Sequence, residues 1–254
     1  MIYLLLGGIC ACFGTANALG ASTLLRPLLD AVAPLDPSAI AMLSTAAALC
    51  AALVSAFFAL SRPLAIHQDE LLFLAIGALL GGALGDLVAA RFIAMLSPGS
   101  AKLLGNALLF TVLALPKVYF GALAHSIRPL SITRMASLPT SVLLGLVASF
   151  LSFGAVPLTL MAYDYLFNAQ QEESSTAALA VSLCAMAGKL IVMLIRLRLN
   201  LPSADILLWL LPGVLLGTAA GIIPGVQRSI GRTGETALGL SLFTPLINMT
   251  AALA

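Results

Sequence analysis

The run LLFLAIGALLGGALGDLVAA, residues 71–90, decides the fold class because it carries a single charge, Asp86. A helix needs about 20 mostly apolar residues to cross a bilayer, and this run has that length. The rest of the chain has the same character: 61% of its 254 residues are hydrophobic, 9% are charged and the mean hydropathy is +1.11. A soluble domain has about 25% charged residues, which it needs to cover its surface. We therefore expect an all-α integral membrane protein.

Eight apolar segments are candidate membrane spans, at roughly 2–32, 39–61, 71–91, 101–123, 138–168, 175–195, 205–226 and 234–254. The first is expected to remain in the protein, since residues 1–4 lack the basic residues of a cleavable signal peptide. Basic residues are spread over the loops on both sides, so the positive-inside rule gives no orientation. The polar stretch 124–136 is interpreted as a linker between a first transmembrane repeat, 1–123, and a second, 137–254.

The two parts share spaced residues. Three glycines recur 136 residues later, Gly77, Gly81 and Gly85 matching Gly213, Gly217 and Gly221. We therefore predict two homologous four-span repeats, and we expect the glycines to form a packing seam because small residues let helices approach closely. Internal repeats are typical of secondary transporters. Four full spans in each repeat would make the repeats parallel, whereas a re-entrant first segment would make them inverted, and the sequence leaves this open.

The first helix of each repeat is expected to be broken or re-entrant. The segments 2–32 and 138–168 would each extend about 46 Å as one helix, well beyond a hydrocarbon core of about 30 Å. Small and polar residues interrupt both segments, including Asn17, Gly20 and Ser22 in the first, and Ser152, Gly154 and Pro157 in the second. A break exposes N–H groups at the start of a half-helix, which binds anions readily. The alternative is tight packing of small residues with an ordinary proline kink.

The order of these features resembles the TauE/SafE family of sulfite and organosulfonate exporters over nearly the whole chain. The glycine-rich run of that family corresponds to Leu19-Gly20-Ala21-Ser22 followed by Pro27, and to Phe153-Gly154-Ala155-Val156 without the later proline. A Thr-Ser-like pair of the family resembles Ser44-Thr45 and Val181-Ser182. The resemblance implies export of small sulfur-containing anions such as sulfite, or organosulfonates such as sulfoacetate. Ser44, Thr45 and Ser182 could donate to sulfonate oxygens, or each could bond a carbonyl in its own helix.

Three charged residues within the apolar segments are further candidates. Lys189 lies about seven residues from the end of its segment, and a charge placed deep in the membrane usually faces a cavity or a partner. We expect Lys189 to bind the anion, with snorkelling toward the interface as the alternative. Arg26 could be a second cationic contact, although an ion pair with Asp30 or a role as an interfacial anchor is the favoured interpretation. Asp86 could take part in proton coupling, or could pair with a neighbouring arginine near the interface.

Other function classes are not supported. No hydrolase, metal-binding or phosphate-binding motif is present, so we predict no catalytic residue, no metal, no cofactor and no enzyme. The net charge of +2 is too small and too scattered for a nucleic-acid partner. The predicted partners are a small anionic substrate and the lipid of the inner cell membrane, which the chain crosses several times; a homo-oligomer is left open. Competing hypotheses are an anion channel, a carboxylate carrier and a non-transporting membrane scaffold.

Overall fold

The fold is known from a computed structural model that describes residues 1–17, 19–32, 35–59, 66–123, 127–196, 204–226 and 242–250. Regular structure in these residues is helical. The α-helices are α1 Ile2–Ala16, α2 Ala21–Val32, α3 Pro37–Ala59, α4 Gln68–Met95, α5 Pro98–Val118, α6 Ser137–Leu151, α7 Val156–Phe167, α8 Gln171–Arg196, α9 Ala204–Ile222 and α10 242–250. A π turn, Tyr119–Leu123, extends α5, and a short 3-10 turn, Arg134–Ala136, leads into α6. The all-α prediction is confirmed.

Six stretches of the described residues are long and apolar enough to cross a membrane: Pro37–Ala59, Gln68–Met95, Gly99–Leu123, Arg134–Leu151, Gln171–Arg196 and Asp205–Ile222. The predicted count of eight spans is therefore not confirmed. The long segment 2–32 is divided between α1 and α2, and 138–168 is divided between α6 and α7. The predicted span 234–254 lies largely outside the described residues.

Both long segments are interrupted where the sequence predicted a break. After α1 the chain folds back on itself, since Leu19 and Gly20 both donate to the carbonyl of Gly14, and Gly20 has a φ of +82°. After α6 the chain turns through two left-handed residues, Ser152 and Ala155, with φ of +54° and +47°. A residue in the left-handed region cannot continue a right-handed helix, so the helix ends at both junctions.

The pair α6–α7 enters and leaves at one side of the helix bundle. Arg134, just before α6, contacts Glu70 and Glu173 in the first turns of α4 and α8. The last part of α7 is at this same end, because Ile132 N–H donates to the carbonyl of Leu166 at 2.8 Å. We call this side the Arg134 end. At about 1.5 Å per residue, the 15 residues of α6 reach only about 22 Å. The pair is therefore a helical hairpin whose two ends both lie at the Arg134 end.

The pair α1–α2 forms the opposite hairpin. One cavity marks the other side of the helix bundle, which we call the Arg196 end. It is lined by the end of α2, the start of α3, the end of α4, the start of α5 and the end of α8. Helix α1 lies beside α9 and runs in the same direction, so that successive turns of the two helices meet. The first turns of α9 pack against an apolar cluster built from α1, α2 and α3. The backbone of Gly14 lies against that of Gly20 and Ala21, so α2 runs back beside α1. Both arms of this hairpin therefore open toward the Arg196 end.

The two hairpin tips meet inside the protein. Gly154 N–H, in the second tip, donates to Ser22 Oγ, in the first, at 2.9 Å. A Cβ at Gly20 would lie 3.5 Å from Val156, so the start of α2 is also in contact with the start of α7. This contact joins the break in one half of the chain to the break in the other.

The glycine triplets pack the helices closely, as predicted. Added Cβ atoms at the first triplet would meet α6: at Gly85, for instance, the carbonyl oxygen of Leu146 would be 2.5 Å away. The second triplet faces α1 in the same manner, and a Cβ at Gly221 would lie 2.7 Å from the carbonyl oxygen of Cys12. Because there is no room for a side chain, both seams depend on glycine.

Candidate anion-binding cavity

A cavity of about 110 Å³ lies at the Arg196 end, between α2, α3, α4, α5, α8 and the tip of the second hairpin. On the same measure of volume, one water molecule needs about 10–15 Å³. The cavity is therefore large enough for a small ion with part of its hydration shell. Its charged lining is Arg26, Lys102, Lys189 and Arg196 against Asp30 and Asp86. Four basic and two acidic side chains leave a formal surplus of two positive charges. Such a lining attracts anions.

Lys189 connects the cavity to the second hairpin. Its side chain is 1% exposed, and its Nζ donates to Ser152 Oγ at 2.7 Å and to the carbonyl oxygen of Ser149. Asp86 Oδ1 is 4.0 Å from the same nitrogen. The ammonium group therefore does not snorkel to the interface, and that alternative is wrong.

Asp86 lies between two cations of α8. It is 2% exposed, and its Oδ2 is 3.4 Å from Arg196 Nη2 but has no hydrogen-bond partner among the residues that the structure describes. The predicted pairing of Asp86 with an arginine is thus confirmed, but the arginine is Arg196, across the helix interface. Ion pairs without hydrogen bonds are weaker than hydrogen-bonded ones, so Asp86 is held loosely.

Arg26 contributes a cation with one unsatisfied nitrogen among the described residues. Its Nη1 is buried and has no hydrogen-bond partner among the described residues, and its Nη2 lies against Gly105. Among the described residues the charged groups of Arg26 and Asp30 are not within 4.0 Å of each other, although their charges interact at longer range, so the ion pair between them stays a prediction. An unpaired buried donor is costly, and a guanidinium can hold an oxyanion with two parallel hydrogen bonds.

The predicted site residues divide into groups. Arg26, Asp86, Ser152 and Lys189 line the cavity together. A second group lies where the hairpin tips meet: Gly20, Ser22, Gly154 and Ser182, with Ser182 Oγ only 2.7 Å from the position of a Cβ on Gly154. This second group does not line the cavity, and neither do Asn17, Ser44 and Thr45.

Three remaining predicted residues hydrogen bond locally. Ser44 Oγ donates to the carbonyl of Ile40 at 2.8 Å, and Thr45 Oγ1 donates to that of Ala41 at 2.6 Å. Asn17 donates to the carbonyl of Phe13 in the last turn of α1. In this conformation Ser44 and Thr45 therefore bond to carbonyl groups of their own helix, which is the alternative given for them above.

The sequence interpretation missed four polar residues of the lining: Ser38, Lys102, Asn106 and Arg196. Asn106 is 4% exposed, and its Oδ1 has no hydrogen-bond partner. Arg196 carried a usable signal, because it follows Lys189 by seven residues, two helical turns, and therefore shares its helix face. Lys102 and Asn106 are likewise four residues apart at the start of α5.

Apolar helices with outward-facing leucines and an internal cavity lined mainly by cations are the features of a multi-pass membrane protein. The family model described as sulfite exporter TauE/SafE matches residues 3–244, nearly the whole chain. The chain belongs to the sulfite exporter TauE/SafE family, a family of membrane transporters. No curated protein and no solved structure matches it.

Proposed function

We propose that the protein exports small sulfur-containing anions, sulfite and organosulfonates such as sulfoacetate, across the inner cell membrane. The observation that carries this proposal is the cavity at the Arg196 end, whose four cations exceed its two carboxylates. Family membership supports a sulfur anion as the substrate class. An oxyanion of this kind offers several acceptor oxygens to nearby donors.

Lys189 and Arg26 are the proposed cationic contacts. Lys189 supplies a buried ammonium group beside Ser152, and Arg26 has an unsatisfied Nη1. The anion would lie between them, with the Ser152 hydroxyl as a further polar contact. Because Ser152 belongs to the hairpin tip, anion binding at Lys189 is coupled to the position of that hairpin.

We further propose that the chain consists of two inverted halves that give alternating access. Each half contains a re-entrant hairpin followed by longer helices, and each first helix packs against the other half: α1 against α9, and α6 against α4. The two hairpins open toward opposite ends, which supports inversion. The group at the hairpin tips, Ser22, Gly154 and Ser182 with Gly20 and Asn17, would line the path when the tips separate.

Asp86 is the proposed coupling group. In this conformation its carboxylate lies near Lys189 and Arg196 and so competes with a substrate anion for both cations. A proton on Asp86 would remove that competition. Proton binding would therefore favour anion binding, and proton release would favour anion release.

The test is efflux from liposomes loaded with sulfite, sulfoacetate, isethionate, taurine or acetate, recorded with and without a pH gradient. We expect saturable efflux of sulfite or a sulfonate that falls about 10-fold to 100-fold in Lys189→Gln, since hydrogen bonds to charged groups contribute about 1.5–3 kcal/mol. Arg26→Gln removes a guanidinium with an unsatisfied Nη1, so it tests the site with less risk to folding. Lys117→Gln is the matched control, because Lys117 is exposed near the other end of α5.

The outcomes separate the hypotheses. Non-saturable flux without counterflow would indicate a channel, and preference for acetate would indicate a carboxylate carrier. No flux of any anion from folded protein would favour the scaffold. Efflux retained in both Lys189→Gln and Arg26→Gln would keep the transporter but refute the proposed site.

A further inference from the structure

Helices α4 and α8 meet at a glycine contact that has a charge cluster on either side. Gly82 lies against the backbone of Ala185, and Gly188 lies against that of Leu79. Toward the Arg196 end, the two helices are joined by the loose pairs of Asp86 with Lys189 and Arg196 at 4.0 and 3.4 Å. Rigid helices in contact through small residues can rock about such a point.

The cluster at the Arg134 end is tighter. Arg134 Nη1 donates to Glu70 Oε2 at 2.8 Å, and its Nη2 is 3.6 Å from Glu173 Oε1. Arg134 thus joins the first turn of α4 to the first turn of α8. The Glu70 side chain is only 7% exposed, and Arg134 is its counter-charge. Breaking a pair with a buried member leaves an uncompensated charge, which is strongly unfavourable.

Among the described residues, three buried hydroxyl groups behind this cluster have no hydrogen-bond partner: Ser137, Tyr163 and Ser174. Ser137 is in the first turn of α6, Ser174 directly follows Glu173, and the Tyr163 hydroxyl is within electrostatic range of Glu70 and Arg134. Buried polar groups are normally paired. Three unpaired hydroxyls at one end are expected if this region opens to water or substrate in a second conformation.

We infer that Arg134, Glu70 and Glu173 form a gate that closes the Arg134 end, and that rocking of α4 on α8 opens this gate as the Asp86 cluster tightens. The open gate exposes Tyr163, Ser137 and Ser174, which line the second half of the anion path. The closed gate and the cavity at the opposite end describe one of the two access states. This inference rests on the proposed alternating access, but its test needs no substrate.

The experiment measures how fast a water-soluble maleimide labels Ser174→Cys and, separately, Asn106→Cys. The four native cysteines are replaced by alanine, and the protein is in lipid nanodiscs so that the reagent reaches both faces. Adding Arg134→Gln should raise labelling at position 174 about tenfold, a shift of about 1.4 kcal/mol, and lower it at position 106. Arg128→Gln, an exposed arginine of the same connecting segment, is the control and should change neither rate.

Opposite changes in the labelling rates at positions 174 and 106 would support the gate. If the charge-swapped double variant Arg134→Glu with Glu70→Arg restored slow labelling at position 174, the closed gate would be assigned to this ion pair. Unchanged labelling at position 174 would overturn the inference, and so would faster labelling at both positions, which indicates general loosening. Glu173→Gln breaks only the longer pair and serves if Arg134→Gln does not fold. Reciprocal labelling without efflux would keep the gate and reject the proposed substrates.

Discussion

Replacing Asp86 by asparagine should strengthen anion binding while weakening the protein without its anion. Asp86 lies 4.0 Å from Lys189 Nζ and 3.4 Å from Arg196 Nη2. At an effective dielectric constant of about 20, these distances correspond to gross attractions of about 4 and 5 kcal/mol. Desolvation of the buried charges offsets much of each attraction. The asparagine side chain has nearly the same shape and no charge, so it releases both cations for a ligand.

The expected size of the effect follows from the contacts that become available. If a substrate oxygen replaces the carboxylate beside Lys189, a charge-assisted hydrogen bond of about 1.5–3 kcal/mol is gained, or about 10-fold to 100-fold in affinity. Without anion, two cations lose their counter-charge, and the unfolding temperature should fall. With sulfite or sulfoacetate, the stabilisation should begin at a lower concentration than in the wild type, because binding to the folded state raises stability by mass action.

The assay is thermal unfolding in detergent over a series of anion concentrations. Asp69→Asn is the control, since Asp69 is an exposed acid on the same helix. A folded Asp86→Asn protein that needs as much anion as the wild type, or more, would refute the idea that the carboxylate competes with substrate. In liposomes, the same variant should also lose the response of efflux to a pH gradient.

Two other substitutions test the packing that positions the site. Gly81→Ala should destabilise the protein by about 1–3 kcal/mol, the usual cost of overpacking, because the new methyl group would lie 2.9 Å from the Leu146 nitrogen. The control Gly99→Ala places its methyl group in open space and should not lower the unfolding temperature. An equal fall of the unfolding temperature in both variants would refute this reasoning. Ser22→Ala should lower both stability and efflux, because Gly154 N–H loses its acceptor and a buried unpaired donor costs about 1–3 kcal/mol. Ser44→Ala should change both little, because that hydroxyl bonds only within α3, and similar effects of the two serine variants would show that the contact between hairpin tips is unimportant.

The interruptions of the fold could be predicted from the sequence because their causes are local. Segments longer than a bilayer is thick, with small or proline residues at matching places, cannot continue as single helices. Whether the chain then reverses depends on contacts made elsewhere, such as Ile132 with Leu166 and Ser22 with Gly154. No local pattern contains that information, and for this reason the span count could not be settled.

The site could be predicted only in part for a related reason. Lys189 stands out because a charge in an apolar run is costly. In lipid, however, the outer faces of the helices are as apolar as their inner faces, so periodicity does not show which side of α5 meets α2. The spacing of Asn106 and Lys102 puts both on one face of α5 but does not show that this face meets α2, and Arg196 was not singled out as a site residue. Ser44 and Thr45 were singled out because they resemble a Thr-Ser-like pair of the family, but hydroxyl groups in helices often bond to their own backbone.

The charges of the cavity are not repeated at the other end, and this asymmetry limits what the fold can do. At the offset of 137 residues that relates the two hairpins, Arg26 corresponds to Tyr163, and Lys189 corresponds to Ala52. The anion is thus attracted more strongly at the Arg196 end. Different affinities in two conformations shift their populations, but they do not change the equilibrium between the two sides of the membrane. Net export would therefore draw on the electrochemical gradient of the anion, membrane potential included, and protonation of Asp86, between two cations of the cavity, would set how strongly the anion binds on each side.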